Sequence, residues 1–210
     1  MSKIFEKYMV NYKGIDDPFR NTLLVLKNNF QITRVLYPGS WIHLTPSLVF
    51  PIVVYVDSLS NIKQMLDDTQ LIEYVRKHSE VSEPCIKVHE TDYRQTIDEK
   101  EESFDLILSL NSGFVSQYCS KYLKKNGLLL ANNSHYDAVK AYTDKENYIV
   151  TGIFTNSSTL KAKDLEAFFL TKKHLPITSE MVIENSKKPP SKAKYQLKKK
   201  ALYYLFKKIR

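Results

Sequence analysis

Residues 32–57, ITRVLYPGSWIHLTPSLVFPIVVYVD, constrain the fold more than any other stretch of this chain. A short apolar strand, Arg34 to Tyr37, breaks at Pro38-Gly39. Thr45-Pro46 supplies a hydroxyl N-cap followed by proline at the first helical position, so a helix starts there. Pro51 limits that helix to a turn or two. Ile52 to Val56 then reads as a second strand, β-branched, apolar on both faces and ending in an acid, Asp57. Strand, glycine turn, short helix, strand and terminal carboxylate form the first half of a nucleotide-binding α/β unit. An acid at that strand end can accept hydrogen bonds from both ribose hydroxyls of an adenosine.

The flanking sequence extends the alternation. A helix is predicted from Asp16-Asp17-Pro18, with Phe19, Leu23, Leu24, Leu26, Lys27 and Phe30 as its apolar face. Residues 58–66 and 69–77 read as helix, and Ile86 to Val88 as a third strand. Phe104 to Leu110, FDLILSL, is the clearest buried strand. A helix over Phe114 to Leu123 is expected to stop at Asn126-Gly127, followed by a fifth strand, Leu128 to Ala131. Tyr148 to Thr155 and Leu165 to Lys172 complete the pattern as an antiparallel hairpin. The expected fold is α/β: a doubly wound, mostly parallel seven-stranded sheet ending in an antiparallel strand pair, formed by residues 1–186.

Charge divides the chain at residue 187. The net charge is +8, yet from Lys187 onward there are ten Lys/Arg and no acids, while residues 1–186 carry 21 basic and 23 acidic residues. Residues 187–210 therefore read as a separate basic tail, with a Pro189-Pro190 linker and an amphipathic helix from near Ala193. Leu197, Ala201, Leu205 and Ile209 recur every four residues in it. Such a helix can bind an RNA backbone, lie on an anionic membrane, or pack on its own domain. Tyr195, Tyr203 and Tyr204 among the lysines suit stacking on single-stranded RNA. Cys85 and Cys119 have no paired or metal-like spacing, which fits a reducing, cytoplasmic setting. The first residues, MSKIFEKYMVNYKG, are too polar for a signal peptide.

The order of elements over residues 17–173 resembles the class I S-adenosylmethionine-dependent methyltransferase fold. In that family the first motif is a glycine-rich turn after the first strand, and Tyr37-Pro38-Gly39-Ser40 stands there, with one glycine where two or three are usual. The ribose-binding acid after the second strand matches Asp57. The adenine-side acid after the third matches Asp92, with Tyr93 as a stacking partner, and the motif after the fourth strand falls on Asn111-Ser112-Gly113. The resemblance implies S-adenosylmethionine as cofactor, bound by Pro38, Gly39, Ser40, Asp57, Asp92, Tyr93 and Asn111. It also implies transfer of a methyl group to a small-molecule or RNA acceptor. A rival reading is a methyltransferase-like fold that serves as a binding or scaffold module, for which the missing glycines speak.

The residues give further candidates. His135 and His43 both fall at the C-terminal edge of the predicted sheet, where either imidazole can act as a general base. The polar loop Asn132, Asn133, Ser134 and Asp137 follows a buried strand and is placed to contact substrate; the same side chains can equally build an elaborate turn. Asp57 can cap the helix after it. No HxH, HExxH or CxxC spacing supports a metal site.

Overall fold

The computed structural model describes residues 1–59 and 61–210. One eight-stranded sheet runs through it. Its strands are β1 (Arg34–Pro38), β2 (Ile52–Asp57), β3 (Cys85–Glu90), β4 (Phe104–Ser109), β5 (Leu123–Ala131), β6 (Tyr148–Phe154), β7 (Leu160–Lys161) and β8 (Tyr203–Lys208). Their spatial order is β3-β2-β1-β4-β5-β8-β6-β7. The first five are parallel neighbours, whereas β8 runs antiparallel to both β5 and β6, and β7 antiparallel to β6. The helices are α1 (Lys3–Tyr12), α2 (Pro18–Asn29), α3 (Asn61–Asp67), α4 (Thr69–His78), α5 (Val115–Tyr118), α6 (Asp137–Thr143) and α7 (Ser179–Ser186). Among the described residues no helix is long and apolar enough to cross a membrane.

Two cores lie on opposite faces of the sheet, and β2 shows why. Val53 and Tyr55 pack with Leu23 and Leu26 of α2, while Val54 and Val56 join Phe104, Leu129 and Phe206 on the other face. A central parallel strand has no solvated face, hence its unbroken β-branched run. Asp17 caps α2 by accepting from the Phe19 amide at 2.9 Å, with Pro18 in the first turn. Thr45–Leu48 is a single 3₁₀ turn, as Pro51 requires.

Three expectations are corrected. The strand expected over Leu165 to Lys172 is a 3₁₀ turn, Leu165–Phe168, followed by isolated bridges from Leu170 to Pro176 and from Thr171 to Leu197. Phe168 and Phe169 are consecutive yet pack into the same core, which a strand's alternation forbids. Asn126-Gly127 does not end a helix: it lies inside β5, where Asn126 takes φ 65° at an irregularity in the β4 pairing.

The basic tail is the third. No helix covers residues 193–210; instead β8 inserts between β5 and β6 and supplies the antiparallel pair in place of the expected hairpin. The four-residue recurrence of leucines there coincides with a two-residue one. Leu205 faces one core while Tyr204 and Phe206 face the other. Burying two aromatics and a leucine contributes about 1.5–3 kcal/mol each, and an isolated helix in water offers no comparable gain. Even Lys208 is spent internally: its ammonium donates to the carbonyls of Ser120 at 3.0 Å and Leu123 at 2.8 Å. Residues 203–208 belong to the domain, so the boundary drawn at residue 187 does not separate body from appendage.

Candidate active site at the strand ends

The chain reverses its winding between β1 and β4, and in open α/β sheets ligands bind beyond the carboxyl ends of the strands at such a switch point. A cavity of about 570 Å³ opens there. Gly39, Asp57, Asp92, Tyr93 and Asn111 all line it, so five of the seven residues matched to cofactor binding converge on one space. Pro38 and Ser40 do not line it; both are buried behind the turn. Trp41, Ser58, Leu59, Arg94, Ser112, Gly113, Phe114 and Tyr118 complete the wall.

Asp57 is 8% exposed, and each of its oxygens has one amide donor. Oδ1 accepts from Leu59 N at 3.0 Å, a local turn ahead of α3 rather than its N-cap, since α3 begins at Asn61, and Oδ2 accepts from Trp41 N at 2.8 Å. The second bond ties the turn after β1 to the end of β2. It needs Trp41 at φ 46° and Gly39 at φ 66°. Each carboxylate oxygen keeps a free lone pair for a ligand hydroxyl. Asp92 is taken up differently. Arg94 pairs with it through Nε at 3.0 and 2.8 Å and through the guanidinium tip, and this pairing holds the Asp92 carboxyl below its usual range.

Tyr93 donates to the Ser112 carbonyl, and its ring meets Tyr118 edge to face at 6.3 Å between centroids. Burial pushes the Tyr93 phenol up to about 12, so it remains a donor at neutral pH. Gly39 is packed tightly: a Cβ there would lie 2.2 Å from the Ser112 Cβ. The turns after β1 and β4 therefore touch. The Ser112 hydroxyl is buried with no hydrogen-bond partner.

Asn111 links this cavity to a second. Its amide donates to Asn132 Oδ1 at 3.2 Å, and Asn132 Nδ2 donates to Asn111 Oδ1 at 2.8 Å, bridging the turns after β4 and β5. Beyond that bridge lies a space of about 520 Å³, with Asn132, Asn133 and Ser134 on one side. Tyr136 also lines it, as do Tyr195, Lys200, Tyr203 and Tyr204 from the segment that sequence reasoning had made a separate helix. Tyr136 sits at φ 68°, a left-handed conformation costing about 1–2 kcal/mol for a non-glycine residue.

His135 is exposed and lines a smaller space with Gly113, Phe114, Tyr136 and Lys187, next to both cavities. His43 is not at the site. It is 6% exposed, hydrogen-bonded to Asp17 Oδ2 at 2.8 Å and to the Tyr37 hydroxyl at 2.9 Å, with Tyr12 stacked on it at 3.9 Å. Burial lowers its pKa despite Asp17, so a neutral imidazole donates to the carboxylate. Its expected role as a base is corrected to one of packing. Asp137 is also corrected. At 2% exposure it lines none of these cavities; it accepts from the Ser109 and Ser116 hydroxyls, each at 2.5 Å, and from Ser116 N at 3.0 Å, pinning α5 to β4.

No protein-family profile matches this sequence. No curated protein matches it either. Among solved structures, a protein described as a putative O-methyltransferase, from Klebsiella pneumoniae, aligns with 77% of this chain and 87% of its own, at 10% identity and a TM-score of 0.50. The tRNA (m1A58) methyltransferase TrmI from Aquifex aeolicus aligns with 99% of this chain and 76% of its own, at 12% identity and a TM-score of 0.49. The O-methyltransferase TomG from Streptomyces achromogenes, solved with S-adenosylmethionine, aligns with 77% and 87%, at 13% identity and a TM-score of 0.47. With five parallel strands in the order β3-β2-β1-β4-β5 and an antiparallel β8 between β5 and β6, this chain has the fold of the class I S-adenosylmethionine-dependent methyltransferases.

Proposed function

We propose that this protein transfers a methyl group from S-adenosylmethionine to an acceptor held beyond Asn132. The observation that carries the reading is the strand-end cavity at the switch point, with an underused carboxylate, Asp57, on its wall. The residues present fit the cofactor in kind. Asp57 would hold the ribose hydroxyls, and Tyr93 and Trp41 offer flat faces for the adenine. The unpartnered hydroxyl of Ser112 is free for the amino-acid end.

The bound cofactor would supply an electrophilic methyl on a sulfonium. The chain's task is then alignment, which by itself can supply most of the rate enhancement for a displacement of this kind. The paired amides of Asn111 and Asn132 fix the border between the two cavities. His135, exposed beside both, is the side chain placed to accept a proton from a protonated nucleophile. The rival reading, a fold that binds without catalysis, draws on the contact between Gly39 and Ser112, which narrows the turn after β1.

Calorimetric titration of S-adenosylmethionine and S-adenosylhomocysteine into the wild type and Asp57→Ala decides between them. The expected result is micromolar binding that weakens about tenfold or more in the variant, since a hydrogen bond to a charged group is worth about 1.5–3 kcal/mol. Thermal unfolding of the variant is recorded alongside, because Asp57 also holds the Trp41 and Leu59 amides. No heat and no thermal shift with either ligand in the wild type would leave the non-catalytic reading standing.

A further inference from the structure

The excess charge of this protein is not spread over its surface. Residues 156–202, the insertion between β6 and β8, hold eleven lysines against four acids, a net of +7 out of +8 for the chain. The fold gathers them. Thr171 bridges to Leu197, Lys172 N donates to the Gln196 carbonyl at 2.8 Å and Lys198 N to the Leu170 carbonyl at 2.8 Å. Two lysine runs distant in sequence, Lys172-Lys173 and Lys198-Lys199-Lys200, thereby lie side by side. Among the described residues none of these five makes an ion pair within 4.0 Å.

This surface meets the mouth of the second cavity, which Gln196, Leu197 and Lys200 help to line. Among the described residues no Asp or Glu lines that cavity. Tyr136 lines it: the residue is 7% exposed, and among the described residues its buried hydroxyl has no hydrogen-bond partner. A buried hydroxyl without a partner is rare in proteins and calls for an explanation, which a bound ligand would supply. Tyr203 and Tyr195 add aromatic faces, and Asn133 an amide. Lys187 and Lys188 continue the positive charge around the adjoining space at His135.

We infer that the acceptor is a single-stranded nucleic acid, its phosphates on the Lys172-Lys173/Lys198–Lys200 surface and one unstacked base in the cavity beside Tyr136. One phosphate monoester uses two or three donors; five lysines without an acidic partner in adjacent segments, with two more at the next opening, match a run of phosphates instead. An aromatic and amide-lined pocket behind an electropositive rim is how proteins hold an extruded base. The inference rests on the methyl-transfer reading for the word acceptor, and on the lysine geometry alone for the partner.

The test is fluorescence anisotropy with a labelled single-stranded RNA of mixed sequence, about 15 nucleotides long, titrated between about 50 and 200 mM salt. Wild type is expected to bind with log K falling steeply in log salt. Replacing all five lysines by Gln should flatten that slope by up to about 3.5, because each phosphate contact on a single strand contributes about 0.7. All five are free of ion pairs, so the variant is expected to fold, which circular dichroism checks. Tyr136→Phe should weaken the single strand several-fold, leave the salt slope unchanged, and leave duplex RNA unaffected. Absence of RNA binding at the lowest salt, an unchanged slope in the five-lysine variant, or binding only to phosphatidylserine vesicles overturns the inference. Equal affinity of Tyr136→Phe for single strands removes the base from the cavity. Calorimetry with S-adenosylmethionine on the same samples separates the two readings. Cofactor binding without RNA binding sinks this inference alone; RNA binding without cofactor binding sinks methyl transfer and leaves the surface.

Discussion

Asp137 makes the interior of this protein sensitive to mild acid in an unusual direction. Complete burial pushes its carboxyl up to about 6, although the Ser109 and Ser116 hydrogen bonds pull the other way. In the unfolded chain the same group titrates at about 3.9. Between those values the native state holds a proton that the unfolded state has released, so the free energy of unfolding falls as pH rises through the window. A gap of about two pKa steps corresponds to about 3 kcal/mol, fully present below about pH 4 and lost above about pH 6. Asp137→Asn keeps an acceptor for the Ser116 amide and lets the amide nitrogen donate to a serine hydroxyl, but it cannot titrate. Urea unfolding of both proteins between about pH 4 and 7.5 should show wild type losing about 3 kcal/mol relative to the variant. Asp17, Glu99 and Asp105, whose carboxyls are held low by their partners, act with the opposite sign, but they are common to both proteins and cancel in the difference. Parallel pH profiles, or a wild type that gains on the variant as pH rises, would refute the reasoning.

Two further outcomes follow from burial. His43→Ala should cost about 2–4 kcal/mol in urea unfolding, since it opens a cavity and strips Asp17 and Tyr37 of a partner; S-adenosylmethionine titration should be unchanged, whereas a catalytic His43 would lower turnover without that loss of stability. A chain ended at Leu202 should fail to fold by circular dichroism, because Tyr204, Leu205 and Phe206 together contribute about as much as the 5–15 kcal/mol that holds a typical domain. A soluble, cooperatively unfolding product would contradict the placement of β8.

What the sequence made legible was local. Asp57 could be placed at a strand end because the run before it is apolar on both faces, and Asp17-Pro18 announces a helix within two residues. Gly39, Asp57, Asp92, Tyr93 and Asn111 meet because parallel strands deliver all their C-terminal ends to one edge, so naming the strand ends amounted to naming the cavity wall. What stayed hidden was set by partners far along the chain. Tyr203 to Lys208 carries both periodicities at once, and only the open edges of β5 and β6 choose between them. Asp137 looks like a substrate contact in a polar loop until Ser109 and Ser116, 28 and 21 residues away, claim both of its oxygens. His43 similarly disappears under Tyr12, from a helix that residues 1–15 signal only weakly. The second cavity could not be foreseen once its far wall had been read as a helix.

The position of β8 also bears on how the chain comes to fold. Ala131 pairs with Tyr204 and Leu128 with Lys207, so the middle of the sheet closes across more than seventy residues of intervening chain. Synthesis adds about 5–20 residues per second, so the stretch between Phe154 and Tyr203 takes roughly 2–10 s to emerge. Throughout that interval β5, with Leu128, Leu129 and Leu130, presents an unpaired apolar edge to its surroundings. Such an edge is a template for pairing with any extended strand nearby. The nascent protein thus exposes the centre of its future sheet to intermolecular pairing until residue 203 arrives.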